Sequence, residues 1–144
     1  MIKEIVTDTD ELSKECDYIS PKKTGAWEHI ITNLLDTAKS HRNNCAGLAA
    51  NQISYKKRAI VVRINKSYVP MINPQFIVQY GGFKKEFESC LSLPGVQTKK
   101  RRYKKIKVMY FCPINMVQVP CLKLKGFEAR TIQHEIDHLN GILI

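Results

Sequence analysis

Gln133 to Ile144 reads QHEIDHLNGILI, and His134, Glu135 and His138 within it form the pattern H-E-x-x-H. On a helix the two histidines are i and i+4, so both rings project from one side and can hold a single ion. Glu135 then stands beside the open coordination position, where a general base belongs. Two imidazoles do not complete such a site, since a catalytic centre of this type uses three protein ligands and one position for water. The familiar extension H-E-x-x-H-x-x-G-x-x-H is followed as far as Gly141, but Ile144 stands where the third histidine would be and has no donor atom. With the sequence stopping there, the third ligand is expected upstream.

The upstream donors are Cys16, Cys45, Cys90, Cys112, Cys121, His29, His41 and the acids. The stretch FESCLSLPG places Cys90 where a strand turns sharply, a position from which a thiolate can reach a helix. Two histidines and one cysteine leave a place for water, although Cys45 and Cys112 stay open on this argument. His29 and His41 fall at exposed or terminal positions of a helix and read as surface residues. A second stretch, NNCAGLAANQIS, carries Ala46, Gly47, Ala49 and Ala50, whose small size permits close backbone approach. Gln52 follows with an amide able to donate to a developing oxyanion. A small-residue packing contact against a helix accounts for the same stretch equally well.

The elements that must position these groups follow from periodicity. Trp27, Ile30, Ile31, Leu34, Leu35 and Ala38 recur at helical spacing, which predicts a long helix within residues 20–44, started by Ser20 or Thr24 and ended at HRNN. RAIVVRI predicts a buried strand. QFIVQY predicts another, ended by Gly81-Gly82, and KIKVMYF and MVQVPCLKLKG predict two more, joined by a turn at PINM. Phe127, Ile132, Ile136 and Leu139 return to a helical period from about Gly126, with Gly141 placed to end it. Helix, antiparallel strands, helix is an α+β order. No repeat or linker divides it, so residues 1–144 are expected to form one catalytic domain.

The composition, 44% hydrophobic and 25% charged, fits a globular chain, and no apolar run approaches the ~20 residues of a membrane span. The N-terminus has neither signal-peptide nor transit-peptide character, which predicts a cytoplasmic protein. The five cysteines include no C-x-x-C and are odd in number, against a disulfide framework or a zinc ribbon. The net charge is +10, much of it in TKKRRYKKIK, Thr98 to Lys107. That run reads either as a solvated hairpin face or as a footprint for an anionic partner such as RNA or the ribosome surface.

Three stretches in order, CAGLAANQ (Cys45 to Gln52), ESCLS (Glu88 to Ser92) and QHEIDHLNG (Gln133 to Gly141), resemble the motifs G-x-G-L-A-A-x-Q, E-G-C-L-S and Q-H-E-x-D-H-L-x-G of peptide deformylases. The third is complete, and each of the others departs at one glycine. The resemblance implies that family's fold, with an N-terminal helix, antiparallel or mixed β-sheets and a C-terminal helix carrying HExxH. It implies Cys90, His134 and His138 as ligands of one divalent metal. Fe(II) is the ion expected in the cell, with zinc, nickel or cobalt able to substitute. It further implies removal of the N-formyl group from the initiator formyl-methionine of nascent polypeptides, with release of formate. In that scheme Glu135 moves the proton, and Gln52 and the Leu91 N–H stabilise the oxyanion. Gly47, Glu88, Arg102, Phe127, Arg130 and Thr131 are expected near the substrate.

The departures are Cys45 and Ser89, each standing where the family has glycine. Many bacterial members continue into a further C-terminal helix that contacts the ribosome. A chain without it resembles the short forms encoded by bacteriophages, and any weak ribosome contact would then use the basic Lys99–Lys107 surface. The expected compartment is the cytoplasm of a bacterium or of a phage-infected host, with no membrane and no specific DNA as partner. Two other readings of the same residues are a zinc peptidase and a basic RNA- or ribosome-binding module with a structural metal. The missing downstream ligand speaks against the first. Glu135 and Gln52 beside a three-ligand set speak against the second, because structural zinc sites are usually closed by four protein ligands.

Overall fold

Period-two apolar alternation builds one antiparallel sheet in the computed structural model, which describes residues 1–23 and 25–144. Its strands are β1 (Gly47–Ala49), β2 (Ala59–Ile64), β3 (Ser67–Cys90), β4 (Leu93–Cys112) and β5 (Val117–Lys125), in the spatial order of the chain. Short turns suffice because neighbours in sequence are neighbours in space. Asn65 and Lys66 make the β2–β3 turn with φ of 49° and 69°, the twist a two-residue hairpin requires. Residues 113–116, the expected PINM turn, join β4 to β5. The expected end of a strand at Gly81-Gly82 is not found. β3 runs through both glycines, whose φ of 83° and 80° form a bulge that shifts the register between Tyr80 and Phe83. Glycine here bends a long strand rather than stopping it.

Among the described residues three α-helices accompany the sheet: α1 (Thr9–Leu12), α2 (Glu28–Ser40) and α3 (Gly126–Leu139). The first was not foreseen; the Asp8 side chain caps it by accepting the N–H groups of Asp10 and Glu11. α2 is shorter than expected and begins after Trp27, without a side-chain cap at that residue. Glu28 instead accepts the N–H of Gly25 at 2.8 Å and of Trp27 at 3.2 Å. Ser20 lies outside the helix, and Thr24 falls outside the described residues.

β2 is buried on both faces, which is why Ala59, Ile60, Val61 and Val62 form an unbroken apolar run. Ala59 and Val61 pack with Trp27, Ile30, Ile31, Leu34 and Ala38 of the α2 side. Ile60 and Val62 pack on the other side with Ala129, Ile132, Ile136 and Leu139 of α3, joined by Ile106 and Val108 of β4. The sheet is thus clamped between two helices at its β1–β2 end. α3 also extends across β4 and β5. Among the described residues no helix is long and apolar enough to cross a membrane.

The end of α3 is fixed with particular care. The N–H of Gly141 bonds to His138 O at 3.0 Å and that of Ile142 to Asp137 O at 2.9 Å, a Schellman closure with Gly141 at φ 75°. The Leu139 carbonyl accepts from the Cys16 N–H and from the buried Arg58 guanidinium, which also reaches Asn140 Oδ1 at 2.7 Å. A Cβ on Gly141 would collide with the backbone of Ser13. Gly141→Ala combines that collision with a left-handed residue bearing a side chain, and is expected to destabilise the fold by about 2 kcal/mol or more. Urea unfolding of the purified variant measures it.

Candidate metal centre

Cys90 is the last residue of β3, and His134 and His138 lie one turn apart on the buried side of α3. Because α3 crosses the sheet at the β3–β4 turn, the three side chains converge. Cys90 Sγ is 3.3 Å from His138 Nε2, which is 3.1 Å from His134 Nε2, and the three donor atoms all lie within 4.8 Å of one another. Metal bonds of ~2.0–2.1 Å to nitrogen and ~2.3 Å to sulfur, at tetrahedral angles, separate donors by roughly 3.3–3.6 Å. The observed spacing and the thiolate–imidazole donor set therefore fit a divalent ion. Among the described residues this is the one such cluster. The other cysteines kept open by the sequence lie elsewhere. Cys45 is buried and donates its thiol to Gly47 O at 3.2 Å, and Cys112 packs in the α3-side core.

Behind the cluster stands a buried carboxylate. Glu88 Oε1 is 3.0 Å from His134 Nδ1, so that nitrogen carries the proton and Nε2 is turned toward the cluster. Glu88 also takes a two-pronged bond from Arg102, Nε to Oε2 at 3.0 Å and Nη2 to Oε1 at 2.9 Å, and a bond from a second cation, Arg130 Nη1, at 2.6 Å. Burial alone would raise its pKa. The His134 contact and the two arginines prevail and hold it well below the usual carboxylate range. Arg102 bonds Asp137 of α3 as well, at 2.5 Å. Without an ion, His134 is pushed up to about 10: burial opposes its charge, but Glu135, Cys90 and Glu88 surround it. His138 is pushed down to about 3 by burial and by the nearby cations. A metal ion held by these residues would take the place of the added proton on His134.

Two groups face the cluster from the side. Glu135 is 4% exposed, and its Oε1 has no hydrogen-bond partner. Burial is the main reason its carboxyl is pushed up to about 7. Gln52 sits in a short 3-10 helix (Ala50–Ile53) directly after β1. The Ala49 N–H donates to its Oε1 at 3.0 Å, which fixes the amide so that Nε2 points to Ser92 Oγ at 3.0 Å and Cys90 Sγ at 3.4 Å. Gly47 explains the small residues of that stretch. A Cβ there would come within 2.8 Å of Glu135 Oε2 and 2.9 Å of Thr131 Cγ2. The close approach is thus to the α3 carboxylate.

The cluster opens into a cleft of about 350 Å³, whose lining includes Gly47, Gln52, Leu91, Phe127, Thr131 and Glu135. Phe127 is 68% exposed at its rim, and Arg63 also lines it. Of the residues expected near substrate, Gly47, Phe127 and Thr131 face the cleft. Glu88 and Arg130 also border it, but their polar atoms are engaged with each other and with neighbouring groups. Arg102 is buried behind the histidine and does not line the cleft. Sequence reasoning passed over Asp137, Ser92 and Asn51, whose Nδ2 donates to His138 O at 2.8 Å. Asp137 and Ser92 sit within the quoted motifs, and Asn51 directly precedes Gln52. Their positions there were the available signal.

Comparison with known proteins gives one answer. The family model described as polypeptide deformylase matches residues 2–144. A peptide deformylase of Clostridium beijerinckii is 40% identical over 144 residues, covering 100% of both chains. The crystal structure of peptide deformylase from Thermotoga maritima superposes with a TM-score of 0.88 at 30% identity, covering 99% of this chain and 95% of that one. That of a Vibrio parahaemolyticus bacteriophage, in complex with actinonin, superposes with a TM-score of 0.85 at 30% identity, covering 99% and 100%.

Two substitutions test the geometry. Glu88→Gln removes the charge shared by two buried guanidinium groups, and is expected to cost about 3–5 kcal/mol, less whatever Asp137 recovers for Arg102 and Glu86 for Arg130. It should also weaken metal retention by about 10–100-fold, read by competition with a chelator. Gly47→Ala is expected to leave metal content unchanged while displacing the Glu135 carboxylate, visible as a fall in turnover of about 10²-fold.

Proposed function

Because the chain belongs to the polypeptide deformylase family, it is a metal-dependent hydrolase that removes the N-formyl group from nascent polypeptides, and we propose which residues carry that reaction. Cys90, His134 and His138 hold the metal, and the observation that carries the assignment is the convergence of their three donor atoms beside Glu135 and Gln52. Fe(II) is the ion proposed for the cell, with zinc, nickel or cobalt able to occupy the same sulfur and nitrogen donors. When bound there, the ion would supply Lewis acidity and would lower the pKa of a water molecule.

The chain's own residues do the rest. Glu135 takes the proton as a water oxygen adds to the formyl carbon, and returns it to the amine as the carbon–nitrogen bond breaks, so that formate and a free amino terminus result. Its burial suits both tasks near neutral pH. The Gln52 amide, held by Ala49, and the Leu91 N–H donate to the oxyanion as charge develops on it. Because the Gln52 amide is fixed beforehand, no reorganisation is needed at that moment. Gly47 presents backbone to the substrate across from Glu135. Phe127, with Thr131 below it, offers an apolar wall for the methionine side chain. Glu88, Arg102 and Arg130 act through His134 as positioning residues.

Residues 1–144 act as one catalytic domain in this reading, in the cytoplasm of a bacterium or of a phage-infected host. A weak ribosome contact uses the basic surface from Lys99 to Lys107. The test is formate release from a formyl-Met-Ala peptide under anaerobic conditions, with metal measured on the same sample. Glu135→Ala is expected to keep the metal and lose about 10²–10⁴ in kcat. Cys90→Ala is expected to lose the metal, and Gln52→Leu to keep it and lose about 10²–10³ in kcat. Full metal and activity in Cys90→Ala would remove that residue from the ligand set. Absence of formate from folded, metal-loaded protein would remove this chain's activity.

A further inference from the structure

From Ser89 to Lys125 the sequence contains no acidic residue. The register sorts the cations of this stretch by face. Odd-numbered residues of β4, from Lys99 to Phe111, share one side of the sheet, opposite Arg102 and Ile106. Cross-strand partners extend that side onto β3 through Phe87, Lys85, Phe83, Tyr80 and Val78, and onto β5 through Lys125 and Lys123. It therefore carries Lys85, Lys99, Arg101, Lys105, Lys107, Lys123 and Lys125. Glu86 and Glu88, the acids of β3 in this region, point to the α3 side, where they pair with arginine.

Aromatic rings alternate with these cations. The Arg101 guanidinium lies 3.9 Å over the Phe83 ring, Lys99 lies 5.7 Å over Phe87, and Lys105 and Lys107 lie 5.9 and 5.7 Å over Tyr80. Phe83 and Tyr103 stack with centroids 4.4 Å apart. Phe83 is 44% and Phe87 66% exposed, and Tyr80 and Tyr103 are half-buried. α2 lies on the same side of the sheet, but its packing reaches β4 only at Phe111, against Trp27. An ordinary solvated face needs charge, not aromatic rings set against four of its cations.

We propose that the outer face of β3–β4–β5 binds RNA, its cations taking phosphates and its aromatic rings stacking on unpaired bases. Rings and guanidinium planes that offer faces between phosphate-binding cations are the chemistry by which sheets hold single strands. An acidic protein would use the charges and leave the rings idle. The proposal deepens the ribosome-contact reading, on which it rests, by naming unpaired RNA bases as what is touched. It is independent of the metal-site assignments. Phe87 belongs to this face and also lines the cleft, so a bound strand would lie against the mouth of the active site.

The test is fluorescence anisotropy of the metal-loaded protein with a labelled single-stranded RNA of about twelve nucleotides. A duplex RNA of the same length and vesicles containing phosphatidylserine are the comparisons. Tighter binding of the single strand than of the duplex is expected. Its log–log salt slope should be about −3 or steeper, as engagement of four or more phosphates gives. Arg101→Glu with Lys105→Glu and Lys123→Glu should weaken binding at least tenfold. Phe83→Leu with Tyr103→Leu should weaken the single strand more than the duplex. If the double aromatic variant fails to fold, Phe83→Leu alone serves. Formate release from a short formyl peptide and metal content should be unchanged in the charge variant, which separates this proposal from the deformylase assignments. RNA binding that is absent, or indifferent to the charge variant, overturns the proposal. So does duplex binding equal to that of the single strand with no effect of the aromatic variants, or binding to vesicles without binding to RNA.

Discussion

The site depends on one buried carboxylate. Glu88 is expensive to desolvate by itself, and it is stable only because Arg102 from β4 and Arg130 from α3 neutralise it while His134 supplies a ring N–H. That arrangement ties three elements to one point. β3 contributes Glu88 and, two residues later on the same face, Cys90. The spacing that puts the carboxylate behind His134 also puts the thiol in front of it. The side-chain alternation of β3 places both on its buried side, although the register against β4 shifts between Ser89 and Cys90.

The same alternation separates charge across the sheet. Toward α3, alternate positions of β3 and β4 carry Glu86, Glu88, Lys100 and Arg102, and several of these charges are consumed in pairs. Toward solvent, the intervening positions carry cations without acids. A chain of net charge +10 can therefore keep a compensated interior beside its histidines and still display a strongly positive exterior. Screening weakens the exterior in salt, whereas the buried pairs are largely shielded from it.

The helical stripe of α2, the strands of β2 and β5, the PINM turn and the extent of α3 were legible because each rests on local periodicity. Gly81-Gly82 misled because the same residue type serves for a strand end and a bulge, and only the partner strand decides between them. The start of α2 misled because its cap comes from Glu28, inside the helix. HEIDH announced a metal by itself, but Cys90 was favoured only modestly over Cys45 and Cys112 until the motif resemblance separated them. Their distances to the histidines are properties of the folded sheet. Glu88 was expected near substrate from the motif resemblance alone. Its bonds to Arg102 and Arg130 cross 14 and 42 residues of chain, and no local pattern carries that information.

The donors of the metal cluster are separated by 48 residues between Cys90 and His138, and they meet only where α3 lies across the finished β3–β4 turn. Ion capture is thus among the last events of folding. During synthesis a ribosome must release the whole antiparallel sheet and then the helix before an ion can be chelated by all three groups. Until then Cys90 is a solvent-accessible thiol with no ring nitrogens beside it. An ion held by the proposed ligands would latch the sheet to α3, and its removal by a chelator or by oxidation of Cys90 would loosen the helix that also carries Glu135.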